Sequence, residues 1–230
     1  MSEFAAALRT LFGKISAFFD LFDLSFFVSG SVCLSALVFW AHLANRQLPF
    51  ELQGWIKVLA VILACYVNGL LCFAAGRLIR WGKPGKTIED FNAHFLDTLR
   101  AHGLAEEKPF KDYLDRTSHL GIRRLYIRLW AEARQTDQLS PSLSVINRYW
   151  VMAATYDGLS VALLLWSVTL INWMAGFGVG SRLSLTFGLP AIILLIVMSR
   201  VCIKESRRLV RNQAEELVAS VAAQRSRLKA

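Results

Sequence analysis

Four long apolar stretches dominate the chain, with polar segments before, between and after them. A helix needs roughly 20 mostly apolar residues to cross a bilayer, because the hydrocarbon core is about 30 Å thick and each residue rises about 1.5 Å. The stretches that meet this length are Leu24–Leu43, Trp55–Gly76, Trp150–Trp173 and Leu183–Ile203. The pattern therefore predicts an all-α polytopic membrane protein with four transmembrane helices.

These spans divide the chain into five segments, and each has its own pattern. Ahead of the first span, apolar residues such as Phe4, Leu8 and Leu11 recur at helical spacing, which favours a retained interfacial helix over a cleaved signal peptide. We expect an amphipathic helix at 1–23, transmembrane hairpins at 24–76 and 149–203, a helical cytoplasmic insert at 77–148 and a cytoplasmic C-terminal helix at 204–230.

Lysine and arginine set the expected orientation. The insert 77–148 carries 13 Lys/Arg and the segment from Arg200 onward carries 8, whereas the short turns after the first and third spans contain little beyond Arg46 and Arg182. The positive-inside rule then places the insert and both termini in the cytoplasm. Size and simplicity favour a bacterial inner membrane. The net charge of +9 follows from this topology and from contact with anionic lipid, so it is weak evidence for a dedicated anionic ligand.

The insert reads as helical. Phe91, Phe95 and Leu99 recur at helical spacing until Gly103 interrupts the pattern, and a second apolar stripe follows Gly121. With 72 residues the insert is marginal as an independent domain. We therefore expect it to pack against the C-terminal helix or against other subunits.

No constellation in the sequence supports catalysis. Gly82–Thr87 ends like a phosphate-binding loop, but Arg80 stands where that motif needs its first glycine, and an apolar span precedes it instead of a strand. The four cysteines lie in or at the ends of spans, and the four histidines show no metal-ligand spacing. We expect no enzyme activity, no cofactor and no metal.

Arginines and aromatic residues interleave in the second half of the insert. Guanidinium groups bind phosphates and aromatic rings stack on bases, so this run is a candidate site for an anionic nucleotide or a short nucleic acid. The alternatives are a solvated helix face, or one that pairs with acids such as Glu132. The candidate ligand-binding residues are Arg116, Arg123, Arg124, Arg128, Tyr126 and Trp130.

Small residues recur at every fourth position of the second span, with one polar residue at the centre. Small side chains let helices approach closely in lipid, and an asparagine can hydrogen-bond across the contact. Ser25, Ser29 and Ala36 of the first span offer a matching surface. Packing within one chain and packing between subunits both fit this stripe, which consists of Ala60, Ala64, Asn68, Cys72 and Gly76.

Two further features of the later spans bear on function. Asp157 lies about two turns inside the third span, so its carboxylate must face protein or water. It either pairs with Arg77, Arg148 or Arg200 or lines a pore. Gly188 and Pro190 predict a kink early in the fourth span, a candidate gating point, and no Gly or Pro occurs after Pro190 to end the helix.

Two classes of function fit these features. The first is an oligomeric channel or pore-forming effector, with a homotetramer favoured, gated through the basic helical domain by an anionic ligand or a cytoplasmic protein partner. Asp157 or Asn68 would meet its aqueous path. The alternative is a non-conducting anchor or scaffold that holds the helical domain at the bilayer and recruits a soluble partner. A proton-coupled transporter is disfavoured because intramembrane ionisable groups are few.

Overall fold

The computed structural model describes residues 21–44, 54–81, 86–107, 110–111, 119–135, 140–176 and 184–229. Within these ranges every regular element is helical and no strand occurs. A 3₁₀ turn at Leu104–Glu106 follows the third helix and a π-helical turn at Ser184–Gly188 precedes the last. The α-helices are α1 (Leu21–Leu43), α2 (Gly54–Trp81), α3 (Lys86–Ala101), α4 (His119–Arg134), α5 (Ser140–Gly176) and α6 (Leu189–Lys229).

Four of these helices are long and apolar enough to cross a membrane, which confirms the fold class at this level. The predicted spans lie in α1, α2, α5 and the π-helical turn with α6. The helices α2 and α5 extend beyond them, to Trp81 and back to Ser140, because hydropathy marks the apolar part of a helix and not its ends. The predicted amphipathic helix at 1–23 falls almost entirely outside the described residues.

The chain divides into two compact units. The first, here called the apolar unit, comprises Met1–Leu78 and Ala154–Lys204. The second, here called the basic unit, comprises Ile79–Ala153 and Glu205–Ala230. Each unit is therefore built from two separate stretches of the chain.

Glycines bring α1 and α2 of the apolar unit together backbone to backbone. A Cβ atom at Gly30 would overlap the carbonyl group of Cys65, and one at Gly69 would overlap the carbonyl group of Phe26. The Phe26 ring also packs edge-on against Phe73, with 5.3 Å between ring centroids. Because backbone atoms meet on both sides, no side-chain rotation could make room for a larger residue at either glycine.

The helix α5 contacts both α1 and α6. Trp166 Nε1 donates a hydrogen bond to the Val32 carbonyl oxygen at 3.0 Å, and Ser199 Oγ of α6 donates one to the Ser160 carbonyl oxygen at 2.9 Å. Side chains on the outer surface of this unit are apolar and exposed. Leu63 and Leu71 of α2, for example, are 60% and 64% exposed.

The basic unit has a conventional apolar core. The insert and the C-terminal part of α6 both contribute to it, as expected for an insert too small to enclose a core alone. Aromatic rings stack within it: those of Phe91 and Phe95 lie 6.2 Å apart and nearly parallel. The fully or almost fully buried members are Phe95, Leu99, Leu104, Phe110, Leu125, Leu129, Ala133, Ile146, Ala214, Leu217, Val218 and Val221.

Two irregularities lie where Gly and Pro predict them. Gly103 has φ of 70°, a left-handed conformation that glycine adopts without strain, and α3 ends just before it. At the predicted kink, Gly188 is the last residue of the π-helical turn and Pro190 is the second residue of α6. Proline lacks a backbone N–H, and the first turn of a helix tolerates that loss. After Pro190 α6 continues without a break to Lys229, as the absence of later Gly and Pro predicts.

Replacement of Gly69 by alanine should destabilise the apolar unit. Alanine favours a helix over glycine by about 1 kcal/mol, so any loss of stability must come from the contact with Phe26. Overpacking of this kind costs about 2 kcal/mol. Thermal unfolding of the full-length chain in detergent micelles measures the change, and Gly176→Ala is the matched control because its added Cβ would meet nothing within 4 Å. Equal stability of the two variants would contradict this packing.

Candidate functional site

Asp157 is completely buried in the apolar unit, at 0% exposure. A Cβ atom at Gly76 would overlap the Asp157 carbonyl group, so α2 and α5 meet there backbone to backbone. The same carbonyl oxygen accepts a hydrogen bond from Ser160 Oγ at 2.7 Å. The aspartate predicted to face protein or water thus lies among protein atoms at a close helix contact.

Asn68 is placed differently, at the half-buried edge of α2. Its Nδ2 donates a hydrogen bond to the Ala64 carbonyl oxygen at 2.8 Å, and the Cys33 thiol of α1 lies 3.8 Å from its Oδ1. Part of its hydrogen-bonding capacity is therefore used within the unit. The remainder of the stripe is split: Ala60 and Ala64 are half-buried, whereas Cys72 and Gly76 are buried.

Two glycines at the closest contacts, Gly30 and Gly69, were missed by the sequence interpretation, whereas Gly76 belongs to the predicted stripe. Each helical residue turns by about 100°, so a strict repeat of four drifts by roughly 40° at every step. Alternating steps of four and three keep to one side of the helix. Within the apolar unit, the buried residues of α2 follow that alternation, and their spacing is the signal that could have found Gly69: Cys65, Gly69, Cys72 and Gly76.

The predicted arginines of α4 differ in exposure from its predicted aromatic residues. Arg123, Arg124 and Arg128 are exposed, whereas Tyr126 and Trp130 pack against the core of the basic unit. The Tyr126 ring lies edge-on to Phe95 at 5.7 Å. Burial raises the pKa of the Tyr126 hydroxyl, although its hydrogen bond with Trp130 opposes this. The last member of the predicted set, Arg116, lies outside the described residues.

A partly buried arginine holds the C-terminal part of α6 within the basic unit. Arg225 binds Glu132 through two hydrogen bonds of 2.6 Å and also binds Glu107. Its guanidinium lies 4.5 Å from the centre of the Phe110 ring. The hydrogen bonds with Glu132 raise the pKa of Arg225, and this effect is larger than the lowering caused by burial. Glu132, an acid suggested as a partner for the α4 arginines, therefore binds an arginine of α6.

The basic unit also contains an open cleft of about 670 Å³. His94 Nε2 and Glu215 Oε1 lie 2.6 Å apart in it. No pattern in the sequence indicates this pair, because its members come from distant parts of the chain. No group of three or more potential metal ligands occurs among the residues that the structure describes. The cleft is lined by His94, Asp97, Thr98, Ala101, His102, Tyr149, Asn212, Glu215, Glu216 and Ala219.

Replacement of Arg225 by glutamine should destabilise the basic unit by about 2 kcal/mol, because it leaves two partly buried carboxylates close together without their cation. Unfolding of the full-length chain in micelles, followed by near-UV circular dichroism, measures this. The exposed Arg227→Gln is the control and should change stability by no more than about 0.5 kcal/mol. Equal stability of the two variants would contradict a role for Arg225 in holding α6 within the basic unit.

Tyr126 should make stability fall at alkaline pH. Its pKa is raised in the folded chain, so the unfolded chain ionises first. The contribution is complete below about pH 10 and is lost as pH rises through the native pKa. Unfolding measured from about pH 8 to about pH 11 should therefore show a steeper loss for the parent chain than for Tyr126→Phe. Parallel profiles would contradict burial of the hydroxyl.

Comparison with known proteins adds no family to this description. No family model matches the chain, and neither a curated protein nor a solved structure matches it. The burial, packing and charge of its own residues are therefore the observations that bear on its function.

Proposed function

We propose that this is an integral membrane protein in which α1, α2, α5 and the first part of α6 cross a bilayer. Large exposed apolar side chains on these helices support the proposal, because water would be a poor solvent for such a surface. In α2 they include Val58, Leu63 and Leu71, each at least 60% exposed. The distribution of Lys and Arg favours a cytoplasmic basic unit and cytoplasmic termini.

We further propose that the protein acts as a non-conducting membrane anchor, which holds the basic unit at the cytoplasmic surface for an anionic or protein partner. The observation that carries this proposal is the complete burial of Asp157. A residue that lines an aqueous path has to contact water, whereas this one is enclosed by the helices of a single chain. The glycine contacts likewise occupy the closest-packing surfaces of α1 and α2 within that chain.

A second candidate is an oligomeric pore or pore-forming effector, with a homotetramer favoured. It draws support from the half-buried part of the α2 stripe at Ala60, Ala64 and Asn68. Small residues at such an edge suit close contact with a second copy, and a polar side chain there could approach a shared axis. Gating would then depend on a signal received by the basic unit.

The mass of the full-length protein in lipid nanodiscs separates the two candidates. The anchor proposal predicts a monomer or dimer, and it predicts that proteoliposomes show no ion flux above protein-free controls. Asp157→Asn removes the charge at constant shape and Asn68→Leu removes the amide, so neither should alter flux. Gly176→Ala serves as the variant without a packing change.

A pore would give the opposite result. Four or more copies in each nanodisc, with ion flux that changes in Asp157→Asn or Asn68→Leu but not in Gly176→Ala, would overturn the anchor proposal. Release of the chain from native membranes by alkaline carbonate would contradict both candidates, because integral proteins resist that extraction.

A further inference from the structure

The exposed side of α4 consists of arginines and two apolar residues. Residues turn by about 100° each, so the exposed positions between 123 and 134 fall within an arc of roughly 140°. No acidic residue lies among them. The six members, here called the α4 outer face, are Arg123, Arg124, Ile127, Arg128, Ala131 and Arg134.

Charged and apolar side chains are ordered across this face. Ile127 and Ala131 lie along its middle, with Arg123 and Arg134 towards one edge and Arg124 and Arg128 towards the other. Ile127 is 56% exposed. An apolar centre line between two rows of cations is typical of helices that lie in a membrane interface, where long basic side chains reach lipid phosphates and apolar ones enter the acyl boundary.

The same face is poorly suited to nucleic acid. Single-stranded recognition relies on aromatic rings on which bases stack. The two aromatic residues nearest in sequence, Tyr126 and Trp130, pack against the core, and the Arg134 guanidinium lies 5.3 Å from the Trp130 ring. A polyanion would contact the arginines and leave Ile127 in water, whereas a lipid surface satisfies both.

We infer that the α4 outer face binds the headgroup region of an anionic lipid bilayer, with Ile127 at the acyl boundary and the four arginines on lipid phosphates. The inference rests on the proposed membrane location and adds a second, reversible membrane contact by a surface outside the spans. Charge complementarity makes this contact selective, because zwitterionic headgroups attract the arginines much less.

An environment-sensitive fluorophore at position 127 tests the inference in the full-length chain. The four native cysteines are replaced by alanine, Ile127→Cys carries the label, and Asp97→Cys, exposed on α3, is the control position. Nitroxide-labelled lipid should quench the label at 127 at least about threefold more in nanodiscs containing phosphatidylglycerol than in pure phosphatidylcholine. The label at 97 should not distinguish the two.

Charge removal gives an independent measure in the same nanodiscs. Each arginine replaced by glutamine should weaken docking by about fivefold. The variant in which all four arginines of the α4 outer face are replaced by glutamine should therefore lose the extra quenching. Salt at about 1 M should also abolish it, because the screening length falls to about 3 Å. The matched control removes four charges elsewhere in the basic unit and should retain docking: Arg100, Arg208, Arg211 and Arg227, each replaced by glutamine.

Three outcomes would overturn the inference. The label at 127 could remain unquenched in anionic nanodiscs, or the control variant could lose quenching as completely as the face variant. A short single-stranded RNA could instead bind the face in phosphatidylcholine nanodiscs without lipid quenching, which would assign it to nucleic acid. Extraction with alkaline carbonate is carried out before these experiments. Release of the chain would contradict the proposed membrane location, and not only the inference about the α4 outer face.

Discussion

Backbone contact at glycines is the constraint on which the apolar unit depends. In the proposed bilayer, lipid tails are as apolar as leucine, so burial of large side chains would do little to associate the helices. The helices must instead associate through dispersion and hydrogen bonding at very short range, and small residues allow the backbones to approach closely enough for both. Gly30 and Gly69 provide that approach between α1 and α2, and Gly76 provides it between α2 and α5. At the last contact, the carbonyl group of the completely buried Asp157 meets Gly76.

In the basic unit, by contrast, large apolar side chains are buried in a core and stabilise the fold. Leucine, phenylalanine and valine point inward, as water requires. Arg225 adds an ionic contact whose contribution depends on keeping both carboxylates of its partners close to the cation. The helix α6 takes part in both arrangements: Val197 and Val201 are exposed in the apolar unit, while Val218 and Val221 are completely buried in the basic unit.

Features that depend on local pattern could be predicted from the sequence, and features that depend on distant partners could not. Long apolar runs located the four helices, and Gly103 located the end of α3, because both effects act within a few turns of helix. The strict repeat of four in α2 pointed to Asn68 and away from Gly69, since small residue size alone does not say which side of a helix is buried. The pairs Arg225–Glu132 and His94–Glu215 join residues far apart in sequence, and no pattern records them. Interleaving of arginines and aromatics on α4 suggested one shared site, although Tyr126 and Trp130 pack against the core while the arginines are exposed.

The discontinuous basic unit has a consequence for biosynthesis. Its core lacks Leu217 and Val221 until the last part of α6 has left the ribosome, long after α3 and α4 have been made. Domains usually fold as their own segment of chain emerges, but this one has to wait while two further apolar helices are synthesised. During that interval Phe95 and Leu125 have no complete core to enter. Nascent chains of this protein should therefore depend on chaperones for the α3–α4 segment, even though that segment is the more polar part of the molecule.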